Sequence, residues 1–320
     1  MTERTDKGII PEKILEEFTE KRVWEKVESC EKISVGASGA ELFLVSSPGK
    51  KYVLKAAGKQ GERNEDVMKS FRREYEFYRL ALELGLSFVP ELLYAENHPE
   101  YGIVLVLKAY EQIPHATWNS ELQKAAMDLG ARVNSLPVKA LAPLGLLREP
   151  VRMDEETARS SYRSWLEILS EHEGRFDRRV LDVIYRKIGE VCPILNSEPL
   201  YVCHGDFHPE NVLRDGKNLL LCDWQNIHIG KSAEDFSFFL SRGQGFGIPM
   251  EEEELLEYYC ERLSMYTCRR IEPETVRMER DASMLLTTFS CWAYYLRKAS
   301  YESVAIHFRN MEKAAERLDL

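Results

Sequence analysis

The chain has 320 residues, of which 44% are hydrophobic, a formal net charge of −10 at pH 7 and seven cysteines. A chain of this length can bury a large core and is long enough for two lobes. The acidic balance argues against a nucleic-acid partner, and no apolar run approaches the length of a membrane span. Residues 1–7 lack a secretory pattern and the cysteines are scattered, so we expect a cytoplasmic protein with reduced thiols.

A glycine-containing turn is predicted near the start of the first strand-rich segment. Residues 33–45 read as strand, turn and strand, and Gly36, Ser38 and Gly39 lie in the turn. Two glycines among small residues allow backbone amides to approach a phosphate closely. The alternative is a hairpin turn that binds nothing, because the pattern is neither a full protein-kinase glycine loop nor a Walker P-loop.

Next, a strand over residues 50–57 carries Lys55, and a long helix is predicted over residues 66–84. At 100° per residue, one apolar stripe of that helix is formed by Phe71, Tyr75, Tyr78 and Leu82. Glu74 flanks this stripe and Glu76 points away, so Glu74 is the predicted partner of Lys55. The alternative is an ordinary strand-end lysine and a solvated glutamate.

The rest of the chain is predicted to be mostly helical. A buried-type strand runs from residue 101 to residue 107, and helical periodicity follows at 121–135, 155–171 and 177–191. Further on, helical spacing relates Leu285, Phe289, Trp292 and Leu296. A stripe of this kind favours a core position over a ligand-binding wall.

The most informative segment reads VCHGDFHPENVL from Val202 to Leu213. Asp206 lies on a loop after a short apolar entry, Asn211 follows five residues later, and Asp223 ends the apolar strand 219–222. Phosphoryl transfer requires one carboxylate at the acceptor hydroxyl and oxygen ligands for magnesium. The spacing matches the catalytic loop of protein kinases, where Asp is the base and Asn binds metal. The alternative is a metal-free polar turn.

The pattern His-Gly-Asp-x-x-x-x-Asn at 204–211, followed by Asp223 and Trp224, resembles the aminoglycoside phosphotransferase and choline kinase superfamily, the small-molecule branch of the protein-kinase-like fold. The resemblance implies that Asp206 is the catalytic base and that Asn211 and Asp223 bind magnesium. His204 would organise the loop, whereas His208 receives no role. The resemblance further implies that Lys55, held by Glu74, contacts the nucleotide phosphates.

The hinge that binds the adenine base would lie at Leu107, Lys108 and Ala109, where kinase-like folds join their lobes. Recognition there would use backbone atoms. Many members of the superfamily carry an acidic residue near this point, and Lys108 departs from that pattern, so the choice between ATP and GTP stays open.

We therefore expect an α+β, two-lobed protein-kinase-like fold, with a small amino-terminal lobe made of an antiparallel sheet and one long helix, and a larger, mostly helical carboxy-terminal lobe. The expected bounds are a helical leader at 1–29, a nucleotide-binding lobe at 30–108, and a catalytic and substrate-binding lobe at 109–320. Only about eleven residues separate Asp223 from Asp235. This connection is too short for a peptide-presenting activation segment, which favours a small-molecule acceptor.

The expected activity is magnesium-dependent transfer of the terminal phosphate of ATP or GTP to a hydroxyl of a small molecule. An aminoglycoside is the first acceptor that the resemblance suggests; choline, another amino alcohol or a sugar fits the same residues. The net charge mildly favours a cationic acceptor. A non-enzymatic alternative is a nucleotide-binding pseudokinase scaffold, against which the intact Lys55, Asp206, Asn211 and Asp223 count.

Overall fold

A computed structural model describes residues 12–33, 41–57, 65–146, 149–172 and 174–320. The predicted turn with Gly36, Ser38 and Gly39 lies outside these residues. The chain divides into two compact units. Unit 1 comprises the residues up to Gln112 together with Leu213–Asn226, and unit 2 comprises Ile113–Val212 and Ile227–Leu320. In the part of the chain that the structure describes, none of the helices is long and apolar enough to span a lipid bilayer.

Unit 1 is built on an antiparallel five-stranded sheet with the order β1-β2-β3-β5-β4. Its strands are β1 (Ser29–Ile33), β2 (Glu41–Ser47), β3 (Lys50–Ala56), β4 (Leu92–His98) and β5 (Gly102–Lys108). Alternation in β2 turns Phe43 and Val45 into the core, while β5 is buried from Gly102 to Leu107. The continuous apolar run of β5 therefore matches a strand that is covered on both faces.

The first described helix, α1 (Glu12–Glu20), ends nine residues before the end of the predicted helical leader, whose residues 1–11 lie outside the described residues. The chain leaves the helix through Arg22, which adopts a left-handed φ of 60°. The N–H of Glu28 already bonds to the carbonyl of Ser46, and β1 begins at Ser29. The end of the segment that was predicted to be helical is therefore a strand paired with β2.

Helix α2 (Glu65–Glu83) confirms the predicted long helix, but the predicted apolar stripe was wrong in part. Phe71 and Tyr78 are buried, whereas Tyr75 is half-buried and Leu82 is 71% exposed. The buried face is completed by Glu74, Phe77, Leu80 and Ala81. The buried face is thus centred closer to Glu74 than the apolar residues alone indicated.

Unit 2 is mostly helical. Its helices are α3 (Ser120–Asn134), α4 (Glu155–Ser170), α5 (Arg178–Lys187), α6 (Cys192–Asn196), α7 (Ser232–Gly245), α8 (Glu252–Thr267), α9 (Pro273–Thr287), α10 (Ala293–Leu296) and α11 (Tyr301–Arg317). A π-helical turn, Thr288–Trp292, joins α9 to α10. Leu285, Phe289 and Leu296 lie in the core of this unit and Trp292 packs at its margin, so the predicted core stripe is confirmed.

Short strands carry the segments around the motif. β7 (Tyr201–Cys203) pairs antiparallel with β10 (His228–Gly230) in unit 2. β6 (Glu111–Gln112), β8 (Val212–Asp215) and β9 (Asn218–Leu221) form a three-stranded sheet. The segment with Asp223 therefore belongs to unit 1, although the sequence placed it in the carboxy-terminal lobe. A sheet-bearing unit and a helical unit together confirm the predicted α+β class.

Candidate active site

In unit 1, Lys55 lies on β3 between two carboxylates. Its Nζ donates to Glu74 Oε1 at 3.0 Å and to Asp223 Oδ1 at 2.8 Å. The predicted pairing of Lys55 with Glu74 is thus present, and Asp223 joins it from a segment far along the chain. Burial alone would lower the pKa of Lys55, but the attraction of Glu74 and Asp223 outweighs burial and raises it. Lys55 therefore keeps its positive charge at neutral pH.

Glu74 and Asp223 differ in their access to solvent. The Glu74 side chain is 1% exposed, and that of Asp223 is 27% exposed. A fully buried carboxylate needs a partner, so Glu74 fixes the position of the ammonium group. Asp223 is the member of the triad that a solvent-borne ligand can reach. Burial raises the pKa of Glu74, and the attraction of Lys55 opposes that rise.

The backbone at Asp223 is held in an uncommon conformation. Its φ is +67°, a left-handed value that Asp tolerates better than most residues. The next residue, Trp224, is fully buried and stacks on Phe77 of α2 with ring centroids 4.0 Å apart. Its indole N–H donates to the carbonyl of Leu221 at 2.7 Å. Trp224 thereby fixes the turn that presents Asp223 to Lys55.

The three predicted hinge residues occupy the end of β5 and the position after it. The N–H of Lys108 donates to the carbonyl of Glu91, and the N–H of Ala109 donates to the carbonyl of Lys51, both at 3.0 Å. Leu107 is buried within the sheet. Because these two amide groups are engaged, a base that bound at Lys108 or Ala109 would have to use carbonyl oxygens.

In unit 2, the loop that carries Asp206 is anchored by Asp235. One carboxylate oxygen of Asp235 accepts from the N–H of His204 at 2.8 Å, and the other accepts from the N–H of Gly205 at 2.9 Å. Gly205 has a φ of +80°, which a residue with a Cβ rarely adopts. His204 Nδ1 in turn accepts from the N–H of Asp206 at 3.2 Å.

Asp235 is itself embedded in a buried polar network. Asn134 Nδ2 donates to Asp235 Oδ2 at 3.0 Å and to the carbonyl of Val202 at 2.7 Å. The hydroxyl of Tyr259 donates to Asn134 Oδ1 at 2.6 Å. Because the bonds of Asp235 reach a loop about thirty residues earlier, no local sequence pattern indicates them.

Asp206 and Asn211 lie together on this loop. Asn211 Nδ2 donates to the backbone carbonyl of Asp206 at 2.9 Å and to its Oδ2 at 3.1 Å. Burial would raise the pKa of Asp206, but its neighbours His208, His204 and Asn211 together lower it. Asp206 is therefore ionised at neutral pH, which suits a group that orients a hydroxyl and accepts its proton late.

His208, for which no role was predicted, lies against this carboxylate. Its Nε2 is 3.6 Å from Asp206 Oδ1, and its side chain is 9% exposed. One local feature of the sequence could have indicated a structural role for His208, namely its position before a proline. His208 precedes Pro209 and caps the short 3₁₀ turn Pro209–Asn211 by accepting from the N–H of Glu210.

The residues present are suited to binding magnesium. Mg²⁺ prefers hard oxygen ligands, above all carboxylates. Asp223 offers an accessible carboxylate next to Lys55. Because Asn211 Nδ2 faces two oxygens of Asp206, the amide oxygen of Asn211 is the atom that this side chain offers to a cation.

Several solved structures share the fold of this chain. The chain aligns with an ADP-bound aminoglycoside phosphotransferase, APH(2'')-Ib, at 17% identity and a TM-score of 0.57, covering 97% of this chain and 99% of that one. It aligns with a putative aminoglycoside phosphotransferase of Ralstonia eutropha at 13% identity and a TM-score of 0.62, covering 96% and 98%. For a choline kinase of Cryptosporidium parvum the identity is 14%, the TM-score 0.61, and 96% of each chain is covered. The predicted kinase-like fold is thus confirmed.

The chain belongs to the phosphotransferase enzyme family, whose family model matches residues 29–271. A comparison with curated proteins gave no significant match. The protein is therefore an enzyme, a small-molecule phosphotransferase whose acceptor group is an alcohol. This confirms the reaction class and the superfamily that the motif around Asp206 indicated.

Proposed function

We propose that the enzyme transfers the terminal phosphate of ATP or GTP, with magnesium, to a hydroxyl of a cationic small molecule, first of all an aminoglycoside. The observation that carries this proposal is the Lys55 triad of unit 1. A buried ammonium is held by Glu74, while its second partner, Asp223, stays accessible. This arrangement supplies a fixed positive charge for phosphates and a carboxylate for a metal ion.

The proposed roles follow from the contacts of each side chain. Lys55 binds the nucleotide phosphates, and Glu74 keeps its ammonium in place. Asp206, ionised and held by Asn211, orients the acceptor hydroxyl and takes its proton, a contribution typically worth about 10²–10⁴-fold in rate. Asn211 and Asp223 would hold magnesium, which when bound neutralises charge on the phosphates.

The choice of acceptor rests on charge and on the solved relatives. The chain carries a net charge of −10, which favours a cation. The structures with the same fold include an aminoglycoside phosphotransferase and a choline kinase. Choline and other amino alcohols are therefore the second class of acceptor, and sugars the third. If the protein were a scaffold that only binds nucleotide, no acceptor would be phosphorylated.

The test is release of ADP or GDP by the purified protein with magnesium and a panel of aminoglycosides, choline, ethanolamine and sugars. The blank is Asp206→Asn, which keeps the shape of the side chain but removes its charge. We expect one acceptor class to accelerate release, and the variant to bind nucleotide without turnover. Equal turnover by the variant would refute the role of Asp206, and nucleotide binding by the wild type without turnover on any acceptor would support the scaffold.

A further inference from the structure

His208 is held in a single orientation by contacts on both of its ring nitrogens. Nδ1 accepts from the N–H of Glu210 at 3.3 Å, while Nε2 lies 3.6 Å from Asp206 Oδ1. The ring is buried, and Phe238 packs against it edge-on with ring centroids 6.0 Å apart. A flip or a rotation of the ring would therefore break these contacts.

These contacts assign the proton of the neutral ring. A backbone N–H is always a donor, so Nδ1 must be the acceptor and the hydrogen belongs on Nε2. The ring therefore presents an N–H to the carboxylate of Asp206. At 3.6 Å the contact lies just beyond hydrogen-bond distance in the structure without substrate, and such contacts in catalytic sites often tighten when the substrate binds.

The two oxygens of Asp206 thus have different neighbours. Asn211 Nδ2 bonds to Oδ2 at 3.1 Å, and His208 Nε2 faces Oδ1. Asn211 holds one end of the carboxylate, and closure of the His208 contact to hydrogen-bond length would hold the other end, which would fix the plane of the carboxylate and not only its centre. A base that takes a proton from a hydroxyl must aim one lone pair at it, and misplacement by about 1 Å can cost about 100-fold in rate.

We infer that His208 is a positioning residue for phosphoryl transfer, which holds Oδ1 of Asp206 in line for the acceptor hydroxyl. The inference rests on the proposed role of Asp206 as base. It assigns to His208 no contact with the nucleotide or the acceptor. The competing explanation is purely structural: His208 caps the turn Pro209–Asn211, and its other nitrogen lies near Asp206 without effect.

Two conservative variants separate these explanations, because each replaces the hydrogen-bonding role of one ring nitrogen and removes that of the other. His208→Asn retains a cap for the N–H of Glu210 and lacks any group at the Nε2 position. His208→Gln can place an amide N–H near the Nε2 position but lacks the cap. Both variants are compared with the wild type in steady-state kinetics with the acceptor found in the panel, and thermal unfolding reports on the turn.

For a positioning residue, His208→Asn should lower kcat by about 10- to 100-fold with less than about twofold change in KM for the nucleotide. His208→Gln should restore kcat to within about fivefold of the wild type, although it unfolds at a lower temperature. The reverse order, with full kcat in His208→Asn and loss in His208→Gln, would overturn the inference and leave the cap as the function of His208.

A measurement without turnover distinguishes failure of this inference from failure of the proposed function. Imidazole ¹⁵N spectra of the full chain report the tautomer of His208, with the resonance assigned by its absence in His208→Gln. We expect the proton on Nε2, and a shift of that resonance in Asp206→Asn. A proton on Nδ1, or no shift, overturns the inference even if the enzyme is active. If the shift appears but no acceptor is phosphorylated, the contact stands and the proposed function fails.

Discussion

Replacing Asp235 by asparagine should loosen the catalytic loop at one amide in particular. Asp235 Oδ2 accepts two hydrogen bonds, from the N–H of His204 and from Asn134 Nδ2, whereas Oδ1 accepts one, from the N–H of Gly205. The asparagine side chain should place its oxygen at the position of Oδ2, because there it keeps the hydrogen bonds from His204 and Asn134. Its NH₂ group would then face the N–H of Gly205, and two donors cannot bond to each other.

The cost follows from that single loss. A buried amide left without an acceptor costs about 1–3 kcal/mol, which corresponds to roughly 5- to 150-fold in a local opening equilibrium. Since Asp206 directly follows Gly205, the loss should also displace the base and lower kcat by about tenfold or more. Asp235→Ala leaves both amides unpaired and should cost about 2–6 kcal/mol, a large part of a typical stability of about 5–15 kcal/mol.

The assay is amide hydrogen exchange of the loop in Asp235→Asn, together with kcat. The matched control is Asp319→Asn, because Asp319 is exposed at the end of α11. We expect faster exchange at Gly205, a smaller change at His204, and a lower kcat in the Asp235 variant alone. Unchanged protection at Gly205 together with a kcat equal to that of the control would refute the anchoring role.

Three further predictions concern other parts of the molecule. Lys55→Met should destabilise unit 1 by about 3–5 kcal/mol in urea unfolding, because Glu74 is left buried without its partner. Adding Glu74→Leu should restore this stability but not turnover. Equal stability of the single and double variants would contradict the burial argument. Burial, and then the charge of Arg242, lower the pKa of His307 to about 4 from 6.5, so its neutral form stabilises the folded state fully above pH 6.5. That contribution is lost as the pH falls from 6.5 towards 4, up to about 3 kcal/mol, and urea unfolding over this range should show a smaller loss in His307→Gln. Gly130→Ala would place a Cβ 2.9 Å from Cε1 of Phe207, so we expect a stability loss of about 1–3 kcal/mol and a lower kcat, against a control at the open position Gly189→Ala.

Much of the arrangement around the motif could be predicted from the sequence, because it depends on local order. Asp206 and Asn211 share one loop, and their spacing alone brings the amide to the carboxylate. Glu74 was chosen over Glu76 by helical periodicity, and Glu74 is the residue that Lys55 contacts. In each case the deciding distance is set by a loop or by a helix whose geometry is known in advance.

The features that sequence reasoning missed depend on long-range pairing or on backbone groups. The loop partner of Asp235 lies about thirty residues earlier, and no periodicity relates the two. The leader helix ends at Glu20 and the chain turns at Arg22 with a left-handed φ, which helical periodicity does not indicate. The amides of Lys108 and Ala109 are already bonded to carbonyls, and backbone hydrogen bonds of this kind cannot be predicted from the pattern of side chains. Leu82 is exposed because a helix end can extend beyond the core it packs on.

The contacts around Lys55 in unit 1 and those around Asp206 in unit 2 share one feature: a group with a proposed role in the reaction is held by a more deeply buried neighbour. Glu74 is buried and holds Lys55, while Asp235 is buried and holds the backbone before Asp206. Trp224 holds the turn at Asp223 through stacking and one hydrogen bond. Preorganised charges cost no rearrangement when the phosphoryl group is transferred, and this is where most of the rate enhancement in such reactions arises. Selectivity among acceptors should therefore reside in residues outside these supports, because altering a support changes kcat for every acceptor alike.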